Sequence, residues 1–159
     1  MPTNDAILRT ADREDVAGLL KVLPQITSRP NNPGGKTLGL EASREIFDQI
    51  QRHGNIRILV AEEPASGEIL GALTLVIVPN LTYGGRPWAI LENVVVVKER
   101  RGEGIGSRLL AYAHELSERA GCYKVQVISG PKEDQIHFYR KAGMVDENCC
   151  GFKRHFVER

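Results

Sequence analysis

The segment from Leu91 to Leu110, LENVVVVKERRGEGIGSRLL, constrains the fold of this chain more than any other. Four consecutive valines stand at 94–97, and β-branched side chains favour an extended strand. Glycines then occupy every second position, at 102, 104 and 106, and from Ile105 onward apolar residues recur at helical spacing. The segment therefore predicts a strand, a tight glycine turn and a helix.

This predicted turn is suited to hold an anion. The first N–H groups of a helix have no intrahelical acceptor and carry the positive end of the helix dipole. Glycines place no side chain in front of those N–H groups. The basic residues around the turn are Lys98, Arg100, Arg101 and Arg108. A basic turn is usually only a solvated one, but beside a helix start it favours a role with phosphate groups.

Three phosphate-binding motifs can be compared with the turn. The Walker motif G-x-x-x-x-G-K-[ST] does not occur in the sequence. The dinucleotide motif G-x-G-x-x-G fits poorly, because the glycines are spaced as Gly102-x-Gly104-x-Gly106 and the unit is not near the N-terminus. The motif [RQ]-x-x-G-x-[GA] is matched by Arg101, Gly104 and Gly106. Taken alone, the loop is also compatible with an ordinary glycine-rich turn.

The rest of the chain predicts a mixed α/β domain in the order β-α-α-β-β-β-α-β-α-β. The expected strands cover 6–10, 56–61, 69–78, a stretch from Trp88, 123–129 and 151–158; the expected helices follow Asp12, cover 40–53, run from the glycine turn to Ala120, and run from about Asp134 to Gly143. The strands at 56–61 and 69–78 should form an antiparallel hairpin. The strands at Trp88 and Tyr123 are joined by a helix and should be parallel. We see no linker, so one domain over 1–159 is expected.

Several local features of this chain are also predicted. Asp12 should cap the first helix, with Asp15 in its first turn. The segment 29–39 is rich in Pro, Asn and Gly and should be a loop, either mobile or facing a substrate. In the second helix, which Gly54 should end, the residues expected to face the core are Ile46, Phe47 and Ile50.

The matched motif, the order of elements and the run FYRKAG at 138–143 together resemble the GNAT superfamily of acetyl-CoA-dependent N-acetyltransferases. The resemblance implies a central mixed, mostly antiparallel sheet flanked by helices, and acetyl-CoA as cosubstrate. It implies that the coenzyme pyrophosphate contacts Arg101, Gly102, Glu103, Gly104, Ile105, Gly106 and Ser107. It also implies that backbone N–H groups of Val94, Val95 and Val96 bind the coenzyme and stabilise the oxyanion, where the central strand diverges from the strand at Tyr123.

Two side chains are candidates for the chemistry of acetyl transfer. Glu92 interrupts an apolar strand, where an ionisable group costs free energy unless it meets a partner, a ligand or water. It could bind the substrate ammonium or help to remove its proton, or it could pair with an arginine. Its neighbour Asn93 could orient the substrate or satisfy backbone groups. Tyr139 carries a phenol able to protonate a leaving thiolate, and the resemblance assigns that role to it; the alternative is a core aromatic.

Composition and the remaining motifs exclude other classes of protein. A net charge of +1 argues against nucleic-acid binding, and the apolar stretch 69–78 is too short to span a membrane. Three cysteines, at 122, 149 and 150, form neither a disulfide framework nor a zinc site, and the N-terminus has no apolar signal core. The four histidines are scattered, and His137 is only a secondary acid–base candidate. We expect a reduced cytoplasmic protein that works without a metal.

Within the superfamily, the chain is most similar to the glucosamine-6-phosphate N-acetyltransferases, through LENVVV, RGEGIG, GCYK and FYRKAG. Two departures, Asn93 in place of Asp and a longer segment at 129–132, lie near where that family holds the amino sugar. The expected acceptor is therefore a primary amine of a small molecule, attacked directly in a ternary complex. The alternatives are an amino-sugar-phosphate (glucosamine-6-phosphate) N-acetyltransferase, a peptide acetyltransferase and a non-catalytic coenzyme-binding module. The resemblance also implies a homodimer.

Overall fold

The computed structural model describes residues 5–26, 38–130 and 132–146, together with Gly151 and Arg154. The strands are β1 (Ile7–Thr10), β2 (Ile56–Glu62), β3 (Ile69–Val78), β4 (Trp88–Val96) and β5 (Val125–Val127); the helices are α1 (Val16–Val22), α2 (Leu40–Arg52), α3 (Ile105–Arg119) and α4 (Glu133–Lys141). Short 3-10 helices cover Leu23–Gln25, Tyr83–Gly85 and Lys98–Arg100. The chain divides into two compact units, Met1–Val127 and Ile128–Arg159, and a single domain stays a prediction.

The five described strands form one sheet in the order β1-β2-β3-β4-β5. The pairs β1–β2, β2–β3 and β3–β4 are antiparallel, whereas β4–β5 is parallel. A parallel pair needs a crossover, and α3 supplies it. The predicted hairpin and the predicted parallel pair are both confirmed.

Each face of the sheet carries its own apolar layer. The side of Gly71 faces α3, because a Cβ built on Gly71 would lie 3.1 Å from Leu109 Cδ1 and 2.9 Å from the Val95 carbonyl oxygen. Leu73 and Leu75 share that face by strand alternation, and both are fully buried. The opposite face packs against α1 and α2 through a cluster of Ala11, Val16, Leu19, Val22, Phe47, Val60, Ile69, Ala72 and Val95. The sheet therefore lies between helices on its two sides.

Left-handed glycines end two helices where the sequence predicts. Residue Ala120 is the C-cap of α3, and Gly121 follows it with φ = +75°. Gly54 follows the C-cap of α2 with φ = +68°. Glycine adopts this conformation without the steric cost that a Cβ brings, so both predicted ends are confirmed.

Three predictions about elements need correction or fall outside the described residues. Ile46 is 42% exposed, so its placement in the core is wrong; α2 buries one narrow stripe centred on Phe47, and Ile46 is turned about 100° from it. The strand expected at 123–129 covers only Val125–Val127, because β4 pairs with it only at Ala89–Leu91. Most of the predicted loop 29–39 and of the predicted strand 151–158 lies outside the described residues.

An ion-pair network ties the start of α1 to the first two strands. Arg9 on β1 donates to both carboxylate oxygens of Asp15, at 2.6 and 2.8 Å, and its Nε donates to Glu62 Oε2 at 2.7 Å. Asp15 is only 8% exposed. The Asp15 N–H donates to Asp12 Oδ1 at 3.3 Å, and the Asp12 N–H donates to Asp15 Oδ2 at 2.8 Å. The predicted positions are therefore wrong by about one turn: α1 begins at Val16 with Asp15 as its N-cap, and the reciprocal bonds between Asp12 and Asp15 close a turn that precedes the helix.

This network predicts an acid-sensitive contribution to stability. Burial would raise the pKa of Asp15, but hydrogen bonds and charge from Arg9 outweigh it and leave that pKa below its usual value. The contribution of the carboxylate is therefore complete above the unfolded-state pKa of about 3.9 and is lost as the pH falls through the lower folded-state pKa. We expect Asp15→Asn to lower the free energy of unfolding by about 2 kcal/mol at pH 7.

Urea unfolding at pH 7 and at a pH well below 4 measures this effect, since the wild type and Asp15→Asn should converge only once the carboxylate is protonated in the folded protein too. Asp48→Asn is the control, because Asp48 makes an exposed pair with Arg13 at 3.3 Å. Such a pair contributes less than about 1 kcal/mol. An Asp15→Asn deficit that is the same at both pH values would contradict the interpretation.

Candidate functional site

The segment between β4 and α3 forms an open loop at the start of a helix. After Val97 the chain makes the 3-10 helix Lys98–Arg100 and then turns through Gly102 and Gly104. These two glycines have φ = +85° and φ = +83°, in the left-handed region that other residues rarely adopt. The glycine spacing in the sequence thus reflects the backbone conformation of the loop as well as the space in front of it.

The N-terminus of α3 presents unpaired backbone donors. Gly104 is its N-cap, and no side chain caps the helix there. The Arg108 N–H makes the first bond, to the Gly104 carbonyl oxygen at 3.1 Å, so Ile105, Gly106 and Ser107 have N–H groups without an intrahelical acceptor. A Cβ built on Gly102 would meet no atom within 4 Å. The open space and the unpaired donors at the helix start fit a phosphate group.

The guanidinium groups near this loop bind to the protein itself. Arg100 Nε donates to Glu103 at 2.7 Å and its Nη1 donates to Glu63 at 2.5 Å, and these bonds hold the pKa of Arg100 above its usual value. The Arg108 Nη2 donates to the Ala6 carbonyl oxygen at 2.9 Å. The Lys98 side chain is exposed. The bonds of these arginines therefore shape the loop, and the N–H groups of Ile105, Gly106 and Ser107 remain available to an anion.

Arg101, the first residue of the sequence motif, links three parts of the chain. Its Nε donates to the Val96 carbonyl oxygen at 3.0 Å, and its Nη2 donates to the Gln25 carbonyl oxygen at 3.0 Å. Gln25 Oε1 accepts the Lys98 N–H at 2.8 Å. The loop is thus attached to the end of β4 and to the turn after α1. Sequence reasoning missed Gln25, because nothing in the local pattern marks a contact 73 residues away.

A β-bulge interrupts β4 beside the apolar core. Two residues, Asn93 and Val94, lie between the cross-strand pairs Thr74–Glu92 and Ala72–Val95, where β3 has only Leu73. Asn93 takes φ = +56°, a left-handed conformation that asparagine tolerates better than most residues. Bulges of this kind are common next to active sites, where they re-aim a side chain or end the pairing of strands.

Strands β4 and β5 separate just where the bulge begins. Their parallel pairing covers Ala89–Leu91 on β4 and ends at Val127 on β5. The Val97 N–H donates to the Leu70 carbonyl oxygen on β3, at 2.9 Å. Successive N–H groups of a strand point in opposite directions, so the Val96 N–H points away from β3. It faces the edge of β4 where β5 is no longer paired. This edge of β4 can therefore donate to a ligand.

Glu92 lies at the separation of the strands. It is half-buried, and it lies on the sheet face that packs against α1 and α2. Its cross-strand partner Thr74 is two residues from Ala72 on β3 and so shares the face of Ala72, which belongs to that apolar cluster. Among the described residues, none donates a hydrogen bond or an ion pair to its carboxylate, and no arginine pairs with it. Asn93 is exposed, and its Nδ2 lies 3.5 Å from Thr74 Oγ1. Thr74 is the lone polar residue in the apolar run ILGALTLVIV, a signal in the sequence that the strand pattern alone does not connect with Glu92.

The second unit contains the FYRKAG segment. Tyr139 lies on α4, half-buried, and its ring contacts Phe138 edge-on with centroids 5.0 Å apart. Its carbonyl oxygen accepts the Ala142 and Met144 N–H groups, both at 3.1 Å. Gly143 has φ = +80°, which confirms the predicted end of this helix. His137 on the same helix is exposed.

Other classes of site find little support in the part of the chain that the structure describes. No group of three His, Cys, Asp or Glu residues there could hold a metal ion. No described helix has the length and apolar character needed to cross a membrane. Cys122 is half-buried, and burial raises the pKa of its thiol, so little of the nucleophilic thiolate is present at neutral pH.

Known proteins resemble this chain in sequence and in fold. The glucosamine 6-phosphate N-acetyltransferase of Trypanosoma brucei brucei is 34% identical over 139 residues, which cover 87% of this chain and 88% of that protein. Glucosamine 6-phosphate N-acetyltransferase 1 of Oryza sativa subsp. japonica is 29% identical, with 89% of this chain and 82% of that protein covered. A putative acetyltransferase from Agrobacterium tumefaciens superposes with a TM-score of 0.82 at 36% identity, over 94% of this chain and 99% of that one.

The family model for the acetyltransferase (GNAT) family matches residues 23–144, which include the glycine loop, Glu92 and the FYRKAG segment. The mostly antiparallel sheet and the order of the described elements along the chain, from β1 to α4, are those that the resemblance predicts. The fold, the loop and the match over most of the chain lead to one conclusion: the chain belongs to the GNAT family of acetyltransferases and is an acetyl-transferring enzyme.

Proposed function

We propose that this enzyme transfers the acetyl group of acetyl-CoA to the primary amine of a small molecule, with an amino-sugar phosphate as acceptor. The observation that carries the proposal is the half-buried carboxylate of Glu92, which has no partner among the described residues and stands where β4 leaves β5. The names of the relatives in Trypanosoma and Oryza support glucosamine 6-phosphate as the acceptor to test first.

The coenzyme pyrophosphate binds in this proposal to the backbone N–H groups of the glycine loop. The residues that hold it are Arg101, Gly102, Glu103, Gly104, Ile105, Gly106 and Ser107. The β4 edge at Val94, Val95 and Val96 binds the arm that carries the thioester, and the Val96 N–H donates to the acetyl carbonyl oxygen. A donor that is fixed before the reaction stabilises the negative charge developing on that oxygen.

The reaction forms a C–N bond to the amine and breaks the C–S bond of the thioester. The amine must be neutral when it attacks, and Glu92 binds its ammonium form and accepts its proton, directly or through water. Asn93 orients the acceptor beside it. Transfer is direct, within a complex that holds both substrates, as the resemblance implies, and Cys122, whose thiol pKa is raised by burial, has no role in this mechanism.

Tyr139 donates a proton to the sulfur as the C–S bond breaks. This role rests on the FYRKAG resemblance and on the phenol, which is a suitable acid for a thiolate. His137 is exposed and stays a secondary candidate for acid–base work.

We also propose that the enzyme is a homodimer in the cytoplasm and that it needs neither a metal nor a nucleic acid. Light scattering measures the dimer directly.

Thiol release from acetyl-CoA tests the function across a panel of amines. The panel contains glucosamine 6-phosphate, glucosamine, a polyamine and a lysine peptide. Fastest release with glucosamine 6-phosphate supports the proposed acceptor, and fastest release with the peptide would favour a peptide acetyltransferase. Coenzyme binding without release on any amine would favour a non-catalytic coenzyme-binding module.

Replacement of Gly104 by alanine should selectively weaken coenzyme A binding. Gly104 and Gly121 stand at the two ends of α3 with φ of +83° and +75°, so Gly104→Ala and Gly121→Ala incur a similar backbone strain of about 1–2 kcal/mol. Only the Gly104 Cβ stands at the proposed pyrophosphate. We expect calorimetry to show about tenfold or greater loss of affinity for Gly104→Ala alone. Equal affinities in the two variants would refute the assignment.

Replacement of Glu92 by glutamine should slow acetyl transfer without weakening the binding of the coenzyme. The amide keeps the shape of the side chain but removes the charge that binds ammonium and the base that accepts a proton. We expect kcat/KM for the acceptor to fall by about 10² or more, with coenzyme A affinity unchanged. Glu45→Gln, on the exposed surface of α2, is the control. A stable Glu92→Gln enzyme with wild-type turnover would remove Glu92 from the mechanism.

Tyr139→Phe tests the hydroxyl alone, because the ring is retained. Alkyl thiols have pKa values of about 8.5, so the thiolate leaves tolerably without help and the benefit of an acid is modest. We expect the rate of acetyl transfer to fall about tenfold to a thousandfold. A single-turnover measurement isolates that step from product release. If transfer is as fast as in the wild type and in the control Tyr112→Phe, Tyr139 is only a packing residue.

A further inference from the structure

Gln25 connects the turn after α1 to the start of the glycine loop. It is the last residue of the 3-10 helix Leu23–Gln25. Its side-chain Oε1 accepts the Lys98 N–H at 2.8 Å, and its carbonyl oxygen accepts Arg101 Nη2 at 3.0 Å. Two bonds therefore join residues that lie 73 and 76 positions apart in the sequence.

The orientation of Gln25 is itself fixed by its surroundings. Its Nε2 donates to the Lys21 carbonyl oxygen at 3.3 Å, so the amide turns its oxygen toward Lys98. The Ile26 N–H closes the turn on the Leu23 carbonyl oxygen at 3.2 Å. Leu23 and Ile26 pack against the apolar cluster that contains Val22, which is 2% exposed. Gln25 thus extends from a well-packed part of the core.

The glycine loop is held by two separate sets of contacts before any ligand binds. On the side of α1, Gln25 holds Lys98 and Arg101, and Arg101 in turn reaches the Val96 carbonyl oxygen. In the second set, Arg100 links the loop to Glu63, just after β2. The loop that presents the N–H groups therefore takes its position from contacts outside the motif. Gln25 is the only neutral side chain among these described contacts, and it bonds the loop backbone directly.

We propose that Gln25 is a positioning residue for the coenzyme: it fixes the turn at 98–101, in which the Arg101 N–H donates to the Lys98 carbonyl oxygen, so that the N–H groups of 102–107 converge on one phosphate site. The inference rests on the proposed binding of acetyl-CoA. Gln25 is assigned no contact with the coenzyme, and it lies outside the motif that spans 101–106. Its effect should appear in coenzyme affinity and not in the chemical step, which takes place at Glu92.

Gln25→Met tests this proposal, since methionine has nearly the same length but neither accepts nor donates a strong hydrogen bond. We expect coenzyme A affinity, measured by calorimetry, to fall about three- to tenfold, the value of one lost hydrogen bond. The KM for acetyl-CoA should rise by the same factor while kcat stays unchanged. The Lys98 amide should exchange its hydrogen faster, since it has lost its acceptor.

Gln51→Met is the matched control. Gln51 Nε2 donates to the Ala11 carbonyl oxygen at 3.3 Å, so this variant also loses a bond from a glutamine side chain to the backbone, away from the loop. It should bind coenzyme A as the wild type does. Melting temperatures of both variants separate a loss of fold from a loss of positioning.

The outcomes decide separately on the inference and on the function. If the wild type binds coenzyme A but Gln25→Met binds it within twofold, Gln25 does not position the loop, whatever the exchange rate of Lys98. A loss in kcat with KM unchanged, or an equal loss of affinity in Gln51→Met, would also overturn the inference. If the wild type itself does not bind coenzyme A, the proposed function fails and the inference fails with it.

Discussion

The packing of α3 on the sheet is the constraint on which the proposed site depends. Leu109, Leu110 and Ala113 are fully buried, and Gly71 on β3 lets the helix approach until Leu109 touches the strand. The strand before α3 belongs to the same core, because Leu91 is also fully buried. With both partners fixed, the loop between them must turn within a few residues. The N–H groups at the start of α3 are consequently held by a rigidly packed helix. A loop that is fixed only at its two ends would not hold them as firmly.

The residues that fit poorly into a regular sheet lie together at the proposed reaction centre. Asn93 has a left-handed backbone inside a strand, and Glu92 places a carboxylate among apolar residues without a described partner. Each carries a cost in free energy, of strain for Asn93 and of desolvation for Glu92. The buried neighbours Leu91 and Val95 offset that cost by holding β4 in place on both sides of the bulge. In an acetyltransferase, a strand that is strained at one point and packed at its ends can keep a reactive edge open.

Local sequence patterns predict most of the helices and strands. They do not predict contacts between residues that lie far apart in the sequence. β3 was expected at 69–78 and begins and ends at those residues, because its apolar run and flanking turns are local signals. The wrong placement of Ile46 shows the limit: periodicity identifies an apolar face but cannot tell how wide a stripe the neighbouring layer covers. The bulge at Asn93 depends on the register between two strands, and no single segment encodes it. Glu92 could be singled out since one charge in an apolar strand is conspicuous.

The arrangement of charges explains how a chain of net charge +1 can offer a site for a polyanion. A cluster of basic residues suggests direct contacts with phosphate, yet three of the four are engaged by the protein: Arg100 is paired with Glu63 and Glu103, and Arg101 and Arg108 donate to backbone carbonyls. Their contribution is geometric. A loop that is held in place before binding loses little conformational entropy when a ligand arrives, and this favours binding by neutral N–H donors at the proposed site. The specificity of such a site then comes from the directions of its N–H donors. The tetrahedral oxygens of a phosphate can match those directions, whereas a diffuse positive charge would not distinguish one anion from another.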